Sequence, residues 1–239
     1  MSFIITLYVR EGIVMASDSR LTLSARQEQG NTQIIQLGVG LSDSTYKTFL
    51  TLNNIGLSVF GAPDVQGVPI SGYIESFINE EVHRRDLSVD EVPQALVDYF
   101  NRLEVSPDSG FLVAGYKQGE GGPEQHVWEA LIKTGRITRL NRPGQWGASW
   151  RGVTDILTRL LMPVGMMGED GEFKPLPHFP IQWGFFTLQD AIDYARYAVQ
   201  VTADTMRFHP RPKIVGGPVD ILVIKPQEAF WVKVKDLQA

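Results

Sequence analysis

The strongest constraint on this chain lies in its first sixteen residues. Positions 3–9 read Phe3-Ile4-Ile5-Thr6-Leu7-Tyr8-Val9, a turn follows at Glu11-Gly12, and positions 13–16 are apolar again. A hairpin with one face in water alternates apolar and polar residues, because successive side chains point to opposite faces. A hairpin that is apolar at nearly every position has to be covered on both faces. Further layers must therefore lie above and below it, and an open sheet with a wet face is excluded.

The rest of the chain supplies those layers. A second strand pair is expected at 48–52 and 55–60, turning at Asn53-Asn54. Two helical stripes follow, one through Ile70, Tyr73, Ile74, Phe77 and Ile78, the other through Val92, Leu96, Phe100 and Leu103. Ser88 and Glu91 have capping-box spacing for the second. Strands are expected at 111–116, 127–132 and 136–140. A helix follows through Val153, Ile156, Leu157, Leu160 and Leu161, stopped by Pro163. Residues 163–186 hold four Pro and four Gly, long for a connection inside a compact domain and so functional or partner-facing. Their apolar side chains, Met166, Met167, Phe173, Phe179, Trp183, Phe185 and Phe186, suit either a private mini-core or an intersubunit contact. Thr187 caps a last helix along Ala191, Ala195, Ala198, Val199 and Thr202, and strands at 219–224 and 230–234 close the chain. Strands covered on both faces, with helices arriving in pairs, predict an α+β fold of four layers, an αββα sandwich, as a single domain over residues 1–239.

Composition excludes several functions. A net charge of −5 argues against a nucleic-acid binder working by bulk charge. The absence of Cys removes disulfides, thiolate nucleophiles and Cys-ligated zinc, and the four His lack ligand spacing, so no metal is expected. Gly119, Gly121 and Gly122 lie between strands with no helix following, which rules out a phosphate cradle, and no cofactor is implied. No apolar run approaches the ~18 residues of a membrane span, and the short stretch closed by Arg10 and Glu11 is no signal peptide. A cytoplasmic protein, with neither membrane nor nucleic acid as partner, is the expectation.

Chemistry points to the front of the chain. Ser2 follows the initiator Met, and removal of Met1 leaves a residue carrying both a hydroxyl and a free α-amine. An α-amine titrates near 7.7 to 8.0 in model compounds, so a single residue supplies nucleophile and base. The segment Gly12-Ile13-Val14-Met15-Ala16-Ser17-Asp18-Ser19-Arg20-Leu21-Thr22 resembles the opening of proteasome β-type subunits, which are N-terminal-nucleophile hydrolases. In that family an Asp lies 16 residues after the nucleophile, a Lys precedes the third strand, and a Gly ends the fourth and lends its N–H to an oxyanion hole. The matching positions here are Ser2, Asp18, Lys47 and Gly61. Gly216-Gly217-Pro218 and the stretch 147–153 resemble further family segments. The long insertion before Lys47 is most similar to the bacterial proteasome-related group that includes Anbu.

The resemblance implies a peptidase acting on peptides or unfolded chains inside a homo-oligomeric ring or spiral, with an ATPase partner left open. An amidase of a small amide and an inactive scaffold are the alternatives. Ser stands in place of the family's Thr, and Val215, Pro212 and Ala148 stand where the family has polar partners for the amine. Asp204 and Ser149 are the candidate substitutes. Read as ordinary structure, Asp18 suits a turn cap with Ser19 or a partner for Arg20. In the same terms Lys47 suits a strand-edge charge and Gly61 a tight strand end. On the enzymatic reading, intact mass shows Met1 absent from the mature protein. Ser2→Ala and Lys47→Ala each abolish hydrolysis of fluorogenic peptides, with melting nearly unchanged.

Overall fold

The computed structural model describes residues 2–29 and 32–235, with side chains outside 23–41. The opening hairpin forms as its apolar run dictates: β1 (Phe3–Val9) and β2 (Gly12–Ser17) are buried at every position. After them come β3 (Leu21–Gln29) and β4 (Thr32–Ser42), paired antiparallel from Leu21↔Ser42 to Gln29↔Thr32. The sequence marks this stretch only as a long insertion before Lys47 and points to no element in it. Gln, Arg and Glu dilute its strand signal, and the pairing is local to the hairpin.

Two five-stranded antiparallel sheets follow from the remaining elements. The short β5 (Thr48–Leu50) pairs with β6 (Gly56–Gly61), and a two-residue ladder joins β7 (Asp64–Val65) to β8 (Val68–Pro69). Helix α1 (Ile70–Phe77) runs on through a wider turn at Ile78–His83, and α2 (Val92–Asn101) follows with Pro93 in its first turn. Next are β9 (Ser109–Gly119), β10 (Gly122–Leu131), β11 (Arg136–Arg139), β12 (Gly147–Gly152) and α3 (Asp155–Leu161). Inside the Pro- and Gly-rich stretch, β13 (Gly165–Met167) pairs with β14 (Phe173–Pro175). Helix α4 (Leu188–Phe208) starts at Thr187, whose side chain and that of Asp190 cap each other's backbone N–H. The chain then returns as β15 (Asp220–Ile224) and β16 (Ala229–Lys233). One sheet has the order β12-β1-β2-β15-β16, the other β11-β10-β9-β6-β5.

Alternation along β1 decides what each face meets. Phe3, Ile5 and Leu7 turn toward α3 and α4, packing with Leu157, Ala191, Ala195 and Val199. Ile4 and Tyr8 turn the other way and meet Leu112, Ala114 and Val127 of the second sheet. That sheet presents its opposite face, through Leu57, Phe111, Val113 and Ala130, to Ile74, Phe77, Leu96 and Phe100 of α1 and α2. The covered hairpin thus has helices on one side and a sheet on the other, within an α+β arrangement. No helix among the described residues is long and apolar enough to cross a membrane.

The private mini-core does not form. Met167 is 72% exposed, Phe173 65%, Phe179 89% and Phe185 87%, while Trp183 and Phe186 pack inward against the cluster beneath α4.

Strand β12 is a second element the sequence does not announce, 147–153 standing out there only as a stretch that resembles a family segment. It pairs with β1 from Phe3↔Gly152 to Tyr8↔Gly147. Gly152 sits at φ +89°, and a Cβ there would collide with the Ser2 carbonyl oxygen. Both the dihedral and the obstructing backbone forbid a side chain, so Gly152→Ala is expected to destabilise by about 3 kcal/mol or more, read as a lowered urea midpoint.

Candidate active site

Asp18 sits one residue past the end of β2, opposite Phe3, and its carboxylate is completely buried. Its backbone N–H donates to the Phe3 carbonyl at 3.2 Å, and the Phe3 N–H donates back to Oδ1 at 2.9 Å. Oδ2 accepts the N–H groups of Arg20 at 3.2 Å and Gly216 at 3.1 Å. The Lys47 ammonium donates to Oδ1 at 2.7 Å. A buried carboxylate needs this many donors to offset lost hydration. The bland uses of Asp18 are present only in part: it takes the Arg20 backbone, while the guanidinium goes elsewhere.

Lys47 precedes β5 and is only 4% exposed, so it is not a surface charge guarding a strand edge. Burial is the main influence on it and pushes its pKa down. The Asp18 charge and hydrogen bond oppose that fall, and repulsion from Lys235 and Arg20 adds to it. The ammonium is thereby fixed in place yet easier to deprotonate than a free lysine.

Ser2 is 6% exposed, with its carbonyl held at 2.8 Å by the Val153 N–H. Strand alternation places its side chain on the face shared with Ile4, toward the second sheet. There it lines a narrow cleft together with Lys47 and Gly61, walled by Thr22, Tyr46, Phe60 and Ile70. Three of the four residues chosen from sequence meet in this cleft, and the fourth, Asp18, anchors Lys47 from behind. Met1 lies outside the described residues.

Gly61 ends β6 at φ +102°, and a Cβ there would strike the Asp108 carbonyl oxygen and come within 2.8 Å of the Ser109 Cα. The tight strand end is real, and it coexists with a second property. The Val59 N–H donates to the Lys47 carbonyl at 2.8 Å, and N–H groups two residues apart on a strand point the same way. The Gly61 N–H accordingly faces past the start of β5, on the same side of β6 as the Lys47 backbone.

Several supporting residues carried no readable signal in the sequence. Arg20 forms a two-pronged pair with Asp43 at 2.6 and 2.7 Å and donates to the Lys213 carbonyl at 3.2 Å. It crosses Gly216 so closely that a Cβ there would lie 2.7 Å from its Cζ, which explains that glycine. The Thr48 hydroxyl lies 2.9 Å from both the Ser17 and Ser58 hydroxyls, joining the two sheets by a buried polar chain beside the cleft. The proposed substitutes for the amine's partners are elsewhere. Ser149 pairs with Thr6, four residues along β1 from Ser2, and Asp204 is exposed and bonded to Gln200. Val215 is buried with the apolar cluster beneath α4, and Ala148 packs against it.

This arrangement can hold a hydroxyl, a restrained ammonium and a backbone donor around one small volume, the elements of acyl transfer. No protein-family model matches the chain, and no curated protein matches it.

The burial of Lys47 revises one expectation. Removing one partner of a buried ion pair strands the other charge and typically destabilises by about 3 to 5 kcal/mol. Lys47→Ala is therefore expected to lower the denaturation midpoint markedly, whereas Ser2→Ala leaves it almost unmoved. Chemical denaturation of the two variants side by side checks this.

Proposed function

We propose that this protein is an N-terminal-nucleophile hydrolase with a four-layer αββα sandwich, related to proteasome β-type subunits and acting as a peptidase. The observation that carries the reading is the convergence of Ser2, Lys47 and Gly61 on one narrow cleft, with Lys47 clamped by a fully buried Asp18.

Removal of Met1 frees the Ser2 amine, which takes the hydroxyl proton as Oγ attacks the carbonyl carbon of a peptide bond. The Lys47 charge, held beside the nucleophile, favours the developing alkoxide. The carbonyl oxygen becomes an oxyanion in reach of the Gly61 N–H; in other enzymes one such donor is worth ~10² to 10³ in rate. The ammonium formed on Ser2 returns its proton to the leaving amine, the C–N bond breaks and an ester to Ser2 remains. Water, deprotonated by the same amine, then hydrolyses the ester and restores the hydroxyl. Metal and cofactor have no part in these steps.

Assembly is part of the proposal. The exposed Met166, Met167, Phe173, Phe179 and Phe185 lie on one connection beside α3 and α4, more apolar surface than a lone soluble chain usually keeps in one segment. A cytoplasmic homo-oligomer, ring or spiral, that encloses the clefts and admits unfolded peptides accounts for that surface. An inactive scaffold is the second reading, favoured by one observation: neither Ser149 nor Asp204 reaches the cleft to orient the amine.

Peptide epoxyketones separate the two, since stable capture needs a hydroxyl and an adjacent free amine together. Incubation is expected to give a single covalent adduct on residue 2 by peptide mapping, absent from Ser2→Ala. Protein with Met1 removed that stays unlabelled points to the scaffold, and light scattering showing a monomer removes the enclosed-chamber part.

A further inference from the structure

A second buried lysine–aspartate pair lies beside the first. Asp220, at the start of β15, is the register partner of Ser17, the residue just before Asp18. Its carboxylate is completely buried and holds Lys235 twice, through the backbone N–H at 2.9 Å and through the ammonium. Lys235 follows β16 and is 8% exposed. Its ammonium lies 4.0 Å from the centre of the Tyr46 ring, and its carbonyl accepts the Tyr46 hydroxyl at 3.3 Å. Tyr46 directly precedes Lys47 and forms a wall common to the cleft and to a groove lined by Trp231 and Val234.

We propose that Lys235, locked to Asp220, is a positioning residue for Lys47: it fixes the Tyr46 ring and the backbone of 46–47, and it sets a second positive charge behind the first. The proposal rests on the reading of Lys47 as part of the active site, but its physical content concerns two ammonium groups and one ring. Among the described residues, the charged and titratable groups around Lys47 are Asp18 from the end of β2, Arg20 beyond it, Asp43 from just past β4, Tyr46 from its own segment, and Lys235 from beyond β16 with its partner Asp220. Of the carboxylates, Asp43 is paired with Arg20 and Asp220 with Lys235, and Asp18 is the one bonded to Lys47 itself. It anchors the Lys47 ammonium, while Lys235 and Arg20 repel it. That opposition leaves Lys47 restrained in position and readier to release a proton than a lone ion pair allows. Tyr46 makes the arrangement specific, because its ring carries the contact from one lysine to the residue adjoining the other.

The experiment is a ¹³C-lysine NMR titration of the intact protein, following the Lys47 Cε resonance. The chain has eight lysines, few enough to assign by substitution. Lys47 in the parent protein is expected to titrate below an ordinary lysine. Lys235→Met shifts its midpoint upward, and Lys235→Arg, which keeps the charge, leaves it near the parent value. Lys235→Met strands Asp220, so the double variant Asp220→Asn/Lys235→Met is measured alongside; it also removes the Asp220 negative charge, so its upward shift of Lys47 is smaller but in the same direction. An unmoved Lys47 in both neutral variants overturns the proposal, as does a shift in Lys235→Arg as large as in Lys235→Met. The titration needs no substrate. A coupled Lys47 in a protein that epoxyketones fail to label defeats the peptidase reading and leaves this one standing.

Discussion

A single carboxylate, fully removed from water, organises everything around it. Asp18 receives the start of β1 through Phe3, the chain beyond β2 through Arg20, the approach to β15 through Gly216, and the ammonium at the cleft wall through Lys47. None of these contacts is dispensable in isolation, because a buried charge short of donors costs more than the bond removed. The hydrogen bonds that close the end of the sheet are thus the same ones that aim Lys47. Fold and site share one set of interactions, and that sharing limits how far either can change alone.

Glycine completes what charge begins. At Gly152, Gly61 and Gly216 the obstacle to a side chain is, respectively, the Ser2 carbonyl, the backbone at Asp108 and Ser109, and the Arg20 guanidinium. Each lets a residue that lines the cleft, Ser2, Gly61 or Arg20, approach a neighbouring segment more closely than any Cβ permits. The hydroxyl chain of Ser17, Thr48 and Ser58 fills the remaining junction between sheets with small, mutually satisfied polar groups. Rigidity here comes from backbone proximity and short side chains, while the bulky residues lie in the three apolar clusters.

Much of this was legible in advance, and the reasons differ by element. The first hairpin was readable because burial on both faces leaves an unbroken apolar run, and Thr187 because capping has a local chemical signature. Strand β12 was not, since Gly-Ala-Ser-Trp-Arg-Gly carries no period of two and is a strand only because β1 pairs with it. The β3–β4 hairpin hid behind polar composition. Ser2, Asp18, Lys47 and Gly61 stand out through spacing that resembles a known family's, and three of them line one cleft. What spacing could not supply was environment. Nothing local marks Lys47 as buried, Asp43 as the partner of Arg20, or Lys235 as a neighbour 188 positions after Lys47, because those facts depend on contacts distant in sequence.

Lys47 also adjoins the least secured strand of its sheet. β5 is three residues long and stands at the sheet edge, with ladder bonds on one side only. Short edge segments open by local fluctuation at far smaller free energies than the whole domain requires. Residues 46–50 are held by the side-chain anchors of Lys47 and Thr48 as well as by the single neighbouring strand. The cleft wall at Lys47 therefore rests on a strand with less ladder support than the rest of its sheet.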